Sequence, residues 1–283
     1  MATETPSHPE ATALADRIEA LGLAENIREL DEFGYTVLQD PVAQALNDLV
    51  REAILRLAKE TEGPMRGHAA SLLLGRDPVF EEAVLVPGLL ALAEVVVGRG
   101  ALLSQLIGGI RAKGAPTIGL HADNSWFPEP FPEWDLLFTG CWVTDAFTEA
   151  DGATLVIPGS HKHGTHPTPE ARKGLQGAVP IEAEPGSIAL WNSRVWHSNY
   201  PRKTEGERVV LHMTYSRIGI TPVEDYRHLD DAWLEGKPPE LATLLGRDCF
   251  LGTTTATSGG TDGRLLARTY ETVHGSGVSA RRR

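Results

Sequence analysis

Three side chains in this sequence could share one metal ion: His121 and Asp123, one alanine apart in "TIGLHADNSWF", and His197 in "LWNSRVWHSNYP". On a strand, residues i and i+2 face the same way, so His121 and Asp123 can aim an imidazole and a carboxylate at one point. The pair alone is a weak signal. Ten histidines and 38 acidic residues in 283 positions yield about one His-x-acid pair by chance, the usual hazard of a short motif. Two other pairs occur, His8 with Glu10 and His228 with Asp230. The first encloses Pro9 in a polar stretch and the second sits in charged, helix-like text, so neither reads as a strand. His197, on a later β-rich run, supplies the third ligand. Two imidazoles and one carboxylate form the set that non-haem iron(II) oxygenases use, with positions left open for a cosubstrate and O2.

Arg208 adds a fourth element, eleven residues beyond His197 at the head of "RVVLHMTYSR". If a turn at "RKTEGE" joins antiparallel strands, Arg208 returns to the interior, where a guanidinium can clamp a carboxylate through paired hydrogen bonds. Alternation then turns Arg208, Val210, His212, Thr214 and Ser216 inward and Val209, Leu211, Met213 and Tyr215 outward. The outward set is bulky and the inward set more polar, as a lined site requires. Trp126, Phe127, Phe131 and Trp134 lie between prolines directly after the first two ligands. They read equally well as a stiff cover or as a substrate wall. Arg66, Arg111, Lys113 and Arg194 are candidates to neutralise a substrate anion. The histidine-rich "SHKHGTH" (His161, His163, His166) follows a turn without strand spacing and reads as a structural loop rather than a zinc site. Trp142 and Trp191 read as core.

These residues need a scaffold, and the chain's texture changes near residue 101 to supply one. Before it, residues about 11–32 read as one amphipathic helix, "YTVLQD" as a strand, and residues about 41–61 as a second helix with Pro41 in its first turn. A third helix covers about 78–97, kinked or restarted at Pro87. After residue 101, short β-rich runs alternate with Gly, Pro, Asp and Asn, among them "ALLSQLIGGIR", "TIGLHAD", "LLFTGCWVTDAF", "ATLVIPGS", "GSIALWN" and "VWHSN". Such spacing suggests a double-sheet jelly roll. The expected organisation is one structural body: a helical layer over 1–100, a β core over 101–220, and a helical and loop extension over 221–283 with a mobile tail from about 274.

Composition narrows the function classes. A formal charge of −12 argues against general nucleic-acid or anionic-membrane affinity. Two cysteines are too few for a disulfide framework or a thiolate zinc site. The most apolar stretch, "AVLVPGLLALAEVVVG", is broken by Pro87, Gly88 and Glu94 and does not span a bilayer. With no signal-peptide core at the N-terminus, the expected location is cytoplasmic. No phosphate-binding glycine loop or Gly-x-Ser-x-Gly elbow is present. Oligomeric state is left open.

The ordered set "GLHAD…CWVTDAFTEADGATLVIPGSHKHG…EPGSIALWNSRVWHSN…R" resembles the phytanoyl-CoA dioxygenase family of iron(II)/2-oxoglutarate enzymes, over roughly residues 30–220. The resemblance implies a mainly β protein with N-terminal helices, its double-stranded β-helix (jelly roll) core packed against an α-helical layer. It implies His121, Asp123 and His197 as iron ligands and Arg208 on the distal carboxylate of 2-oxoglutarate. The cofactors implied are Fe(II), 2-oxoglutarate and O2. The reaction is oxidation, foremost hydroxylation, of a C–H bond in a small organic substrate, with succinate and CO2 released. Desaturation or ring closure, or a cupin-like metal-dependent non-oxygenase, are the alternatives. Many relatives carry Ser or Gly where this chain has Asn199, which leaves open whether Ser198, Asn199 or Thr214 is the small polar side chain that assists Arg208.

Overall fold

The structure is a computed structural model describing residues 9–249 and 251. From residue 9 to residue 97 it forms a helical cover: α1 (Pro9–Ala20), α2 (Ala24–Glu32), β1 (Tyr35–Leu38), α3 (Gln44–Glu60), β2 (Ala69–Ala70), α4 (Pro78–Val84) and α5 (Pro87–Val97). The β core follows as β3 (Leu102–Ala112), β4 (Leu137–Val143), β5 (Thr154–Val156), α6 (Pro169–Gly174), β6 (Val179–Pro180), β7 (Ile188–Asn192), β8 (His197–Asn199) and β9 (Glu207–Ser216). Two short helices, α7 (Asp231–Leu234) and α8 (Pro239–Leu244), follow. The strands make an antiparallel six-stranded sheet, ordered β1-β7-β4-β9-β3-β2, and a three-stranded sheet, β6-β5-β8. This is the jelly-roll arrangement, with the two sheets facing each other and not closed into a cylinder.

Each face of the large sheet has its own core. Outward, Leu106, Phe138, Trp142, Leu211, Met213 and Tyr215 pack against Ile54, Leu57, Phe80, Leu89 and Leu92 of the helices. Each such side chain, once buried, contributes about 1.5–3 kcal/mol. Two polar pins set where the helices land: Trp142 Nε1 donates to Asn47 Oδ1 at 2.8 Å and the Tyr215 hydroxyl donates to Val84 O at 2.9 Å. Gly108 lets α3 approach closely, since a Cβ there would stand 2.6 Å from Ile54 Cγ2. Inward, Cys141, Val143, Phe147, Val156, Ile181, Ala189 and Val210 fill part of the space between the sheets. The outward run on β9 is therefore the bulky one, as alternation required.

Several elements differ from expectation. The helix expected over 11–32 is two helices, because Gly22 takes a left-handed φ of +65° that stops α1. Pro41 lies outside α3, which starts at Gln44 after an extended Ala43. The third helix does restart at Pro87. Asp77 starts α4 by accepting the Val79 N–H at 3.1 Å, with Pro78 at the first position, where a missing donor costs nothing. "TIGLHAD" is not a strand. Its contribution to the sheets is a single bridge between His121 and His197. The tail beginning near 274 lies outside the described residues. Among those described, no helix is long and apolar enough to cross a membrane.

Candidate metal centre

His197 opens β8, and its backbone carries His121 into place. The His121 N–H donates to His197 O at 3.0 Å, and the His197 N–H donates to His121 O at 2.8 Å. Asp123 follows in a turn, anchored by the Asn124 N–H on Ser193 O at 3.2 Å. One donor atom from each of His121, Asp123 and His197 lies within 4.8 Å of the others. Asp123 Oδ1 stands 3.4 Å from His197 Nε2 and 3.8 Å from His121 Nε2. Both imidazoles turn Nδ1 to a backbone carbonyl, Gly119 O at 2.9 Å for His121 and Val195 O at 3.1 Å for His197. A carbonyl can only accept, so each Nδ1 carries the proton and each Nε2 keeps its lone pair for a metal.

The three groups shift one another's protonation. Burial pushes the Asp123 carboxyl upward, but His197, His121 and the Trp191 N–H outweigh it and hold the group well below the usual carboxylate range. Burial lowers His121, and the neighbouring His197 lowers it further. Burial also works against a charge on His197, yet Asp123 reverses the balance and the net shift is upward. Asp123 thus stabilises a proton on His197 that a metal must displace; with both imidazoles neutral, the three groups carry a single negative charge, a donor set suited to a divalent cation.

The site opens on a cavity of about 240 Å³ lined by β3, β4, β7, β8 and β9. Arg208 reaches into it from β9 with only 4% of its surface exposed. Its Nη1 donates to Gly152 O, and its guanidinium lies 4.9 Å from the centre of the Phe147 ring. Its buried Nε has no hydrogen-bond partner among the described residues. A buried donor left unsatisfied is costly, and an incoming carboxylate is the acceptor that a guanidinium matches best. Burial lowers Arg208 to about 10.

A family model, phytanoyl-CoA dioxygenase, matches residues 24–210. The chain belongs to the phytanoyl-CoA dioxygenase family. A dioxygenase of Aspergillus fumigatus, af480, is 32% identical over 173 residues, which span 60% of this chain and 55% of that protein. The uncharacterized protein Rv1501 of Mycobacterium tuberculosis is 26% identical over 238 residues, 82% of this chain and 85% of its own. The match thus spans little more than half the length of the fungal relative. Among solved structures, HygX from Streptomyces hygroscopicus with nickel and 2-oxoglutarate bound superposes with a TM-score of 0.59 at 20% identity, covering 70% of this chain and 88% of that one. HygX has also been solved with iron bound, at a TM-score of 0.57. At this identity the likeness speaks for the fold.

In this member of the phytanoyl-CoA dioxygenase family, the three candidate ligands and Arg208 all line one cavity, as do Ser198, Asn199 and Thr214. None of those three bonds to Arg208. Asn199 Oδ1 accepts the Ile118 N–H at 2.8 Å, Ser198 donates to Ile118 O, and Thr214 meets Thr139 at 3.3 Å. The aromatic loop lies outside the cavity wall. Trp126 is 61% exposed, Phe127 is half-buried, and Phe131 packs with Leu120, Ala122, Leu155 and Trp196. Arg66 is exposed and does not line the cavity. Arg194 is a structural residue, buried on Asp135 with Nε at 2.8 Å and Nη2 at 3.3 Å. Lys113 pairs with the exposed Glu205 at the surface. The histidine-rich segment is structural: His161 meets Asp31 O at 3.2 Å and His166 meets Phe127 O at 3.0 Å.

Sequence reasoning missed the residues that hold Asp123. Trp191 Nε1 and Thr139 Oγ1 both donate to Asp123 Oδ2 at 3.1 Å, leaving Oδ1 toward the imidazoles. Trp191 was expected in the core, yet it also stands against His197 with ring centres 5.1 Å apart. The signal was present in part, because β7 ends in "LWN" just upstream of His197. Only the pairing of Thr139 with Trp191 across β4 and β7 brings the two donors to one oxygen.

Proposed function

We propose that the protein is an iron(II)/2-oxoglutarate-dependent dioxygenase that oxidises, foremost by hydroxylation, a C–H bond of a small organic substrate. One observation carries the reading: two imidazole Nε2 atoms and a carboxylate converge on a cavity whose wall holds a buried arginine with an unsatisfied donor. His121, Asp123 and His197 would hold the metal, and Arg208 would take the distal carboxylate of 2-oxoglutarate. When bound, iron and 2-oxoglutarate supply O2 activation and oxidative decarboxylation, yielding succinate and CO2. The chain's own residues bind and orient. Trp191 and Thr139 keep Oδ1 of Asp123 on the metal side. The Nδ1 bonds hold both rings in the binding tautomer. A cavity of about 240 Å³ is below the size of a typical drug-like ligand site. It suits a small dicarboxylate and leaves the primary substrate to the mouth, where the His121 side chain is 31% exposed.

The test is succinate formation by the iron-loaded protein supplied with 2-oxoglutarate and O2, beside Arg208→Gln. We expect turnover, uncoupled if no substrate is present, and a loss of at least tenfold in the variant. No turnover, together with no metal binding at the three ligands, would overturn the proposal. A cupin-like non-oxygenase would bind metal but ignore both 2-oxoglutarate and the Arg208 change.

A further inference from the structure

Arg111 is the one charged residue of the cavity wall for which the reading above has no use. In the register of β3 and β9, Arg111 stands directly opposite Arg208. Directly opposed residues share a sheet face and repel when their charges match. Both line the same cavity. Between them they contact no carboxylate: the polar partner of Arg208 is Gly152 O, and Arg111 Nη1 donates to Pro116 O at 2.6 Å.

The nearby acids are already engaged. Asp151 faces Arg202 at 3.5 Å and accepts from Thr204 at 2.8 Å. Asp145 faces Arg51 at 2.9 Å and accepts the Val209 N–H at 2.9 Å. Asp123, the one carboxylate in the cavity wall, is held beside Thr139, whose β9 partner is Thr214, at the other end of the strand from Arg208. Gly109, two residues before Arg111 on the same face, puts no side chain between Arg111 and Ile107. Burial weakens the hold of both guanidiniums on their protons, and the charge of Arg111 lowers Arg208 further. Two cations therefore close one end of the cavity; Asp145 acts on Arg208 only at a distance, and among the described residues no carboxylate is bonded to either guanidinium.

We propose that Arg111 and Arg208 form a two-guanidinium seat that shares the distal carboxylate of the bound dicarboxylate. The inference rests on the 2-oxoglutarate reading and adds a second cosubstrate-binding residue to it. A carboxylate offers two oxygens and about four acceptor sites, enough to bridge the pair. Its charge removes the repulsion that the unliganded sheet carries.

The experiment is equilibrium binding of N-oxalylglycine, an unreactive 2-oxoglutarate analogue, to the Mn(II)-loaded full chain. Arg111→Gln, Arg111→Lys, Arg208→Gln and the double variant are compared, with pyruvate as a probe lacking the distal carboxylate. Arg111→Gln should weaken N-oxalylglycine about 10- to 100-fold, the worth of a charge-assisted bond, and leave pyruvate binding unchanged. Arg111→Lys should recover part of the loss. The double variant should lose less than the product of the single losses, because both groups act on one carboxylate. If Arg111→Gln binds N-oxalylglycine like the wild type while Arg208→Gln does not, the shared seat is wrong and the dioxygenase reading stands. Equal weakening of pyruvate also overturns it, because Arg111 would then act on the metal end. If the wild type binds no N-oxalylglycine, both fall.

Discussion

Replacing Trp191 with phenylalanine deletes one hydrogen bond to Asp123 and keeps an aromatic ring beside His197. In the wild type, Asp123 Oδ2 accepts from Trp191 Nε1 and from Thr139 Oγ1, both at 3.1 Å. A hydrogen bond to a charged group contributes about 1.5–3 kcal/mol, or roughly 10- to 100-fold in an equilibrium. Thr139 still holds the same oxygen in the variant, so we expect the lower end: about tenfold weaker metal binding, in line with losses for residues that orient a ligand. Thr139→Val removes the other donor and should cost a similar factor. The double variant frees the carboxylate to rotate and should bind more weakly than either single variant, by a factor that departs from the product of the two because both donors hold one oxygen. The assay is calorimetric titration of the chelator-stripped protein with Co(II) near neutral pH, with circular dichroism showing that each variant is folded. If all three variants bind Co(II) within about twofold of the wild type, Asp123 is not oriented by these donors and the assigned geometry of the centre is wrong.

Three further outcomes follow from individual contacts. His212 is pushed down from 6.5 to about 4 by burial and then by Arg208. Its folded pKa is below the unfolded one, so its contribution is complete above pH 6.5 and is lost as the pH falls through 4. That amounts to about 3 kcal/mol; His212→Asn should flatten the denaturation midpoint across this window, and an unaltered slope would remove His212 as the cause. Gly108→Ala places a Cβ 2.6 Å from Ile54 Cγ2, on a β-branched side chain with little freedom to move. It should cost about 1–3 kcal/mol of stability by urea denaturation, and no loss would mean that α3 is not seated against β3 as described. Burial pushes the Cys141 thiol up to about 12, so iodoacetamide at pH 8 should leave it unlabelled in the folded protein and label it after unfolding. Labelling of native Cys141 at the rate of a free thiol would contradict its buried placement.

The residue types of the candidate metal centre were legible because their chemistry is local. His-x-Asp and a histidine beyond a turn can be read without knowing the strand partners, and the alternation along Arg208–Ser216 separates the two faces of β9 by its period alone. The fold class was legible for a similar reason, since turn residues between short apolar runs mark a double-sheet protein. Even so, "TIGLHAD" needs no strand. One backbone bridge to His197 does what a ladder was expected to do.

Local pattern does not determine which strangers meet, because partners distant in sequence are chosen by strand register and by packing between layers. Arg194 carries a charge that looks available until Asp135, 59 residues away, neutralises it inside the protein. Trp191 is buried in the core as its type suggests, yet β4 also sets Thr139 opposite it so that both donate to Asp123. Arg111 and Arg208, 97 positions apart, become a pair only in the β3–β9 register. The sequence by itself determined the candidate ligand set and the period of most elements. The tertiary structure decided orientation and charge balance, since both depend on distances that no spacing along the chain encodes.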